Sequence, residues 1–257
     1  MNTTSTGTTH LFILTGASRG MGRAMAHQLL RPGHTLVCVS RGTDASLAEA
    51  AEKNGAALAQ WPMDLADGAG AATRLAQWLG EQEAAAFSSV SLINNAALMP
   101  PPVPLRDASV ADTIAALRVG LEAPMLLTSA FLSATRGWQV PRKVLNISSG
   151  LGRRAMASQS AYCTLKAGMD MFTRCAALDE AGQPNGAQLC ALAPGVIDTA
   201  MQQQLRGADA AAFPDIGRFA GLHASGSLTS PEDAARAVLA YLQRPDFGAE
   251  SLADVRG

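Results

Sequence analysis

The stretch from Leu11 to Leu30 constrains this chain more than any other part of it. An apolar run, Leu11-Phe12-Ile13-Leu14, meets the turn Thr15-Gly16-Ala17-Ser18-Arg19-Gly20-Met21-Gly22, and a helical pattern, Ala24-Met25-Ala26-His27-Gln28-Leu29-Leu30, follows at once. Strand, glycine turn and helix in that order form the context that a phosphate-cradling turn requires. Gly16 permits the tight turn, Gly20 lets backbone approach a pyrophosphate, and Gly22 lets the helix pack close to the sheet. Free N–H groups and the dipole at the helix start favour an anion there.

The same alternation continues to the end of the chain. Residues 10–15, 35–40, 56–61, 89–94, 142–148 and 187–193 read as strands, with a short late strand within 250–255. Helical patterns occupy 20–31, 44–54, 68–82, 108–134, 159–181 and 231–243. Alternation at this pitch argues for βαβ units. The expected fold is α/β: one Rossmann-type, doubly wound parallel sheet of about seven strands, with helices on both faces. No repeat or linker divides it, so residues 10–257 are expected to form one dinucleotide-binding catalytic domain, and the Thr-rich start 1–9 a disordered lead. Residues 200–228 are Gly- and Ala-rich with weak periodicity; an irregular segment of that length predicts a functional lid.

Charge and cysteine usage exclude several functions. The net charge is −1, with scattered Lys and Arg, which gives no electrostatic case for nucleic acid or an anionic membrane. No run of about 18 apolar residues suggests a membrane span, and the polar start lacks the pattern of a signal peptide. Cys38, Cys163, Cys175 and Cys190 have no metal-ligand spacing, so no metal is expected. A reduced, cytoplasmic protein is the simplest reading.

A second motif carries chemistry. Tyr162 and Lys166 lie one helical turn apart, and the pair Ser148-Ser149 lies upstream. Residues i and i+4 share a helix face. An ammonium near a phenol favours the phenolate and is expected to lower the Tyr162 pKa from its ordinary value, so that the phenol serves as general acid or base. A serine hydroxyl can hold a carbonyl oxygen as charge builds on it.

Together these residues resemble the short-chain dehydrogenase/reductase family over nearly the whole chain. The landmarks stand in the family's order: the glycine turn, Asp64-Leu65, Asn94-Asn95-Ala96-Ala97, Asn146-Ile147-Ser148-Ser149, Tyr162 with Lys166, and Pro194-Gly195-Val196-Ile197-Asp198-Thr199. The resemblance implies hydride transfer from a nicotinamide cofactor to a ketone. Ser149, at the family's usual separation from the tyrosine, is preferred to Ser148 for holding the carbonyl. Tyr162 donates the proton; Lys166 tunes Tyr162 and holds the nicotinamide ribose. The resemblance further implies cofactor contacts from Ser18 and Met21 in the turn, from Asp64 and Leu65 near the adenine, and from Asn94 and Ala96 near the adenosine ribose. Pro194, Gly195, Ile197 and Thr199 are implied to lie along the nicotinamide amide and phosphates. Asp64 has an equally good alternative as a turn cap.

Which nicotinamide cofactor is expected follows from the end of the second strand. A plain ribose usually meets an acidic residue there, roughly 20 residues past the glycine turn. Here the sequence is Cys38-Val39-Ser40-Arg41-Gly42-Thr43, and Asp44 comes late enough to cap the next helix. Arg41 offers a donor fork matched to a phosphate, Arg19 a second arm and Ser40 a hydroxyl. NADP(H) is therefore expected over NAD(H).

One departure from the family is Gly120, at a position where many members carry an Asn that supports a proton-relay water. Glycine in a helix interior costs roughly 1 kcal/mol against Ala, so an irregular backbone with a freed carbonyl is expected there.

Ala123-Pro124-Met125-Leu126-Leu127-Thr128-Ser129, Ala161-Tyr162-Cys163 and Arg244-Pro245-Asp246-Phe247-Gly248-Ala249 look like sepiapterin reductases and bacterial benzil reductases. The resemblance implies a small or aromatic vicinal diketone or α-hydroxyketone as the small-molecule carbonyl substrate, with Asp254 as a candidate substrate anchor and an exposed tail residue as its alternative. Met99, Met156, Met201 and Leu151 are candidates for an apolar wall, and Arg153-Arg154 reads as a solvated loop pair. Two other readings stand beside the reductase: an NADP-dependent alcohol dehydrogenase working oxidatively, and a non-catalytic NADPH-binding sensor or regulator, for which Gly120 speaks. A homodimer or homotetramer built on the long central helices is expected.

Overall fold

The structure is a computed structural model and describes residues 9–256. Of the expected N-terminal lead, residues 1–8 lie outside the described residues, as does Gly257, while the Thr9 carbonyl already accepts from Ser88 N at 2.7 Å.

Seven strands, β1 (His10–Thr15), β2 (His34–Ser40), β3 (Ala57–Pro62), β4 (Ser89–Asn94), β5 (Arg142–Ile147), β6 (Gln188–Ala193) and β7 (Leu252–Asp254), form one sheet in the order β3-β2-β1-β4-β5-β6-β7. Every pairing is parallel. The expected doubly wound architecture is what the chain adopts. Parallel strands are buried on both faces, which is why Phe12-Ile13-Leu14 and Leu36-Val37-Cys38 read as continuous apolar runs and not as alternating ones.

The helices are α1 (Gly20–Leu29), α2 (Ala45–Asn54), α3 (Gly68–Gly80), α4 (Val110–Leu117), α5 (Ala123–Ala134), α6 (Ser160–Ala181), α7 (Ala200–Arg206), α8 (Ile216–Ala224) and α9 (Pro231–Leu242). Their boundaries have local causes. Asp44 caps α2 by accepting from Ser46 N, as expected, Gly55 ends it in the left-handed conformation, and Ser230 with Pro231 opens α9. Two apolar clusters result. One packs α1 and α9 on one sheet face (Met25, Leu29, Val238, Leu239); the other packs α3 and α5 on the opposite face (Leu75, Leu79, Leu127, Phe131). Each such side chain, fully buried, is worth about 1.5–3 kcal/mol.

The helix expected at 108–134 is continuous from Val110 to Ala134 but changes pitch. Residues Arg118–Glu122 form a π-helical turn between α4 and α5, centred on Gly120. The irregular backbone expected at Gly120 is therefore present. A Cβ at Gly120 would sit 3.0 Å from Leu165 Cδ1, so the glycine lets Leu165 of α6 fill this space, one residue before Lys166. By length and mean hydropathy Val110–Ala134 would suffice to cross a membrane, although Asp112, Arg118 and Glu122 keep it from being an unbroken apolar run. Its apolar residues Val119, Ala123, Leu127 and Phe131 are instead core residues packed on the sheet.

Residues 200–228 are more regular than expected. They form α7 and α8, and Leu205, Phe213 and Phe219 make a small core of their own, against which Met99 and Met156 pack. Ser158 Oγ donates to Ala212 O at 2.6 Å and Gln204 Nε2 to Met99 O at 3.2 Å. The segment thus lies down over the loops that follow β4 and precede α6.

Candidate active site

Strand order reverses between β1 and β4, and the glycine turn emerges there. Gly16 has φ +71° and Gly20 φ +53°, both left-handed values that favour glycine. A Cβ on Gly22 would lie 2.0 Å from the Gly16 carbonyl oxygen and 2.5 Å from Asn95 Nδ2. Gly22 is therefore required by contact with the turn itself rather than with the sheet. Thr15 and Asn95 hold the turn from below: Thr15 Oγ1 accepts from Asn95 N and Ala96 N at 2.9 and 3.0 Å, and Asn95 Nδ2 donates to Thr15 O and Gly16 O at 3.0 and 3.2 Å. Helix α1 begins with no side-chain cap. An uncapped helix start behind a backbone turn that a Cβ would fill is a fitting cradle for a dinucleotide pyrophosphate. The Met21 side chain packs in the core, so what Met21 can offer there is its backbone N–H. Ser18 is exposed.

Several expected contacts change meaning. Asn94 is buried with its side chain turned into the sheet, donating to Asn146 Oδ1 at 2.8 Å and Thr128 Oγ1 at 3.1 Å. It is a strut, and any contact with a ribose does not come from its side chain. Leu65 likewise belongs to the core. Asp64 accepts from Ala66 N at 2.9 Å and so serves as the turn cap that was its alternative role. Ser40 is buried beneath the glycine turn and accepts from Ala17 N at 2.9 Å.

At the end of β2 no acidic side chain is free. Asp44 is gripped by Arg23 Nε at 2.6 Å and by the Ser46 hydroxyl at 2.7 Å, and these bonds push its carboxyl down to about 2. Arg19 and Arg41 are exposed at the same edge. Across the cleft, Gly195 is left-handed (φ +83°) after the buried Pro194. Ile197 bridges to Thr229, and Thr199 Cγ2 would lie 3.5 Å from a Cβ on Gly20. The 194–199 loop and the glycine turn therefore face one another.

The chemical residues converge at the C-terminal end of β5. Ser148 and Ser149 point apart. Ser148 is buried and donates to Asp170, whereas Ser149 is half-buried, accepts from Leu151 N at 3.2 Å and stands near enough to Tyr162 to pull its pKa down. This arrangement separates the two serines that the sequence left adjacent, with Ser149 at the phenol. Lys166 is buried, donates from Nζ to Ile147 O at 2.6 Å, and lies 5.8 Å from the Tyr162 ring centre.

The expected depression of the Tyr162 pKa is not found. Burial pushes the phenol up to about 12 against the Ser149 hydrogen bond, and burial pushes the Lys166 ammonium down to about 8 against Asp170. Desolvation disfavours both charged forms and is the largest influence on each group. The phenol holds its proton at neutral pH, which suits a donor. The Lys166 ammonium is therefore charged below about 8 and neutral above it. The expected result is a kcat/KM for NADPH that is level at neutral pH and falls above about 8; a profile level to about pH 10 contradicts it.

Two further charged residues stand beside the site: Asp170, which the sequence reading did not single out, and Arg153, which it did. Asp170 lies one turn beyond Lys166 and is buried, and Arg153 ion-pairs with it at 3.2 Å. Arg153 also donates to Ala253 O at 3.0 Å, so this loop residue, exposed as expected, additionally ties the turn after Ser149 to β7. The only available signal was an Asp at helical spacing from Lys166. Asp254, on β7, accepts a two-pronged grip from Arg256 at 2.8 and 2.6 Å, so its carboxylate is already occupied.

A parallel sheet with a nucleotide cradle at its switch point, and a Ser–Tyr–Lys cluster at the neighbouring strand end, define an oxidoreductase of the Rossmann type. The family model for short chain dehydrogenases matches residues 10–210, and the chain belongs to that family. It is 37% identical over 235 residues to a benzil reductase ((S)-benzoin forming) of Bacillus cereus, covering 91% of this chain and 94% of the relative. A sepiapterin reductase of Xenopus tropicalis is 33% identical over 81% of either chain. Among solved structures, a short-chain dehydrogenase/reductase from Burkholderia vietnamiensis is 31% identical, with TM-score 0.65 over 98% of this chain and 99% of the other. The chain is accordingly an oxidoreductase acting on carbonyl or alcohol groups of small molecules, with a nicotinamide dinucleotide as the family's cofactor.

Proposed function

We propose that this protein is an NADPH-dependent carbonyl reductase acting on a vicinal diketone or α-hydroxyketone. The single observation that carries the chemistry is the convergence of Ser149, Tyr162 and Lys166 at one strand end beside the cradle. Gly16, Gly20, Gly22, Ala96, Gly195 and Thr199 shape the groove for the dinucleotide. Arg19 and Arg41 favour NADPH over NADH, because two exposed cations stand where the one nearby carboxylate is spent on Arg23. When bound, NADPH supplies the hydride for the carbonyl carbon.

The chain's own residues do the rest. Ser149 holds the carbonyl oxygen, Tyr162 Oη passes its proton to that oxygen, and the C=O becomes CH–OH. Charged Lys166 stabilises the phenolate that remains until solvent returns the proton. The substrate class rests on the resemblance to benzil and sepiapterin reductases. The oxidative direction uses the same residues in reverse, and NADP(H) preference favours reduction. Gly120 favours the rival reading, a non-catalytic NADPH sensor; against it stand the Ser149, Tyr162 and Lys166 side chains, all present at one strand end.

Residues 10–257 are proposed to act as one domain. Exposed Val110, Ile114 and Met125 on α4 and α5, with Met171 and Leu178 on α6, favour a homodimer or homotetramer. The four free thiols favour a cytoplasmic setting.

The test is NADPH and NADH consumption with a panel of diketones. NADPH is expected to be preferred, and Arg41→Asp to cut that preference by about tenfold or more, the worth of one charge-assisted contact. No consumption of either nucleotide with any diketone contradicts the proposal, and an unchanged preference in Arg41→Asp contradicts the role of Arg41.

A further inference from the structure

Gln159 immediately precedes α6 and lies three residues before Tyr162. Its side chain is 3% exposed, and neither Oε1 nor Nε2 has a hydrogen-bond partner among the described residues. Interiors seldom leave a buried amide wholly unpaired, and such exceptions mark places where a ligand completes the bonding. Gln159 lines a shallow, open cleft together with Tyr162, Pro100, Val103, Leu105 and Thr113. The cleft is thus walled mainly by carbon on the side facing Gln159. Of its other polar side chains, Thr113 donates to Ser109 O at 2.9 Å and Ser158 to Ala212 O at 2.6 Å, while Ser160 is exposed at the helix start. Tyr162 is needed for the oxygen being reduced.

We infer that Gln159 binds the second oxygen of the substrate, the one next to the carbonyl that is reduced. Nε2 donates to the neighbouring carbonyl oxygen of a vicinal diketone, and Oε1 accepts from the hydroxyl when that neighbour is an alcohol. An amide offers both donor and acceptor, so one residue serves diketone and α-hydroxyketone alike. A ketone lacking the second oxygen leaves the amide unpaired and is disfavoured for that reason. This inference rests on the reductase reading above and narrows its substrate class to carbonyls with a vicinal oxygen.

The experiment compares benzil with deoxybenzoin, which lacks only the second oxygen, in the wild type and in Gln159→Met, a substitution of similar length without donor or acceptor. Intrinsic reactivity differences cancel in the variant-to-wild-type ratio. The expected result is an approximately tenfold fall in the benzil-to-deoxybenzoin ratio of kcat/KM, carried mainly by KM for benzil, the size expected for one hydrogen bond. Deoxybenzoin kinetics and NADPH affinity hold, and Tm stays level or rises because an unpaired buried amide is removed. Gln159→Leu behaves in the same way. An unchanged ratio in a wild type that reduces benzil overturns this inference alone. A lowered Tm with equal losses on both ketones also overturns it, since the amide would then be bonded within the protein. If the wild type consumes NADPH with neither ketone, the reductase reading itself falls and this inference with it.

Discussion

Replacing Tyr162 with Phe lowers kcat for ketone reduction by about 10²- to 10⁴-fold, the usual worth of a positioned proton donor, while NADPH affinity stays near the wild-type value. The phenol is pushed up to about 12 and keeps its proton at neutral pH, so it is a donor in waiting. Ser149 sits at the hydroxyl, and the Lys166 ammonium lies against the ring with its Nζ anchored on the Ile147 carbonyl. Removing the hydroxyl deletes the donor and leaves the cation in place. Fold stability changes by about 1 kcal/mol at most, the net worth of the one hydrogen bond to Ser149. Rate loss with preserved nucleotide binding is therefore the expected signature. Near-normal turnover in Tyr162→Phe, measured by NADPH consumption, contradicts the assignment.

Replacing Gly22 with Ala has the second large effect, and it strikes binding instead of chemistry. The new Cβ would lie 2.0 Å from the Gly16 carbonyl oxygen, a backbone atom that cannot step aside without opening the turn. Asn95 Nδ2, 2.5 Å from the same point, is itself bonded to Thr15 O and Gly16 O. Overpacking of this kind costs about 1–3 kcal/mol or more. Because the strain falls on the cradle, NADPH affinity is expected to drop by about 100-fold, or some 2.7 kcal/mol. Gly42→Ala is the matched control: a Cβ there meets nothing within 4 Å, and stability should move by no more than about 0.5 kcal/mol. Titration of NADPH by fluorescence, with a thermal melt of each variant, separates the two. Unchanged nucleotide affinity in Gly22→Ala contradicts the placement of the cradle.

Features set by local patterns were legible in the sequence. The glycine turn, the β1 and β4 strands and the Asp44 cap of α2 all follow from residues close together in the chain. Tyr162 and Lys166 were legible because helical spacing alone puts them on one face. Features set by contacts between distant segments were not. Asn94 and Asn95 are neighbours at a strand end, and only the packing of Thr128 and Asn146 shows that one is turned into the sheet while the other supports the turn. The bonds of the exposed Arg153 were hidden because its partners, Asp170 and the Ala253 carbonyl, lie 17 and 100 residues away. The weak periodicity of residues 200–228 hid two short helices whose apolar side chains face Met99 and Met156 as well as one another. The sign of the Tyr162 shift was misjudged for a related reason. Helical spacing from a lysine is visible in sequence, whereas the burial that raises the phenol is a property of the folded chain.

The most direct measurement is a single turnover: protein preloaded with NADPH is mixed with excess benzil, and nucleotide absorbance and product are followed together. The expected result is loss of about one equivalent of NADPH per site with matching formation of benzoin, slowed in Tyr162→Phe by the factor given above. Protein that binds NADPH tightly yet leaves it unoxidised in the presence of diketone would contradict the account and identify the chain as a nucleotide-binding protein without reductase chemistry.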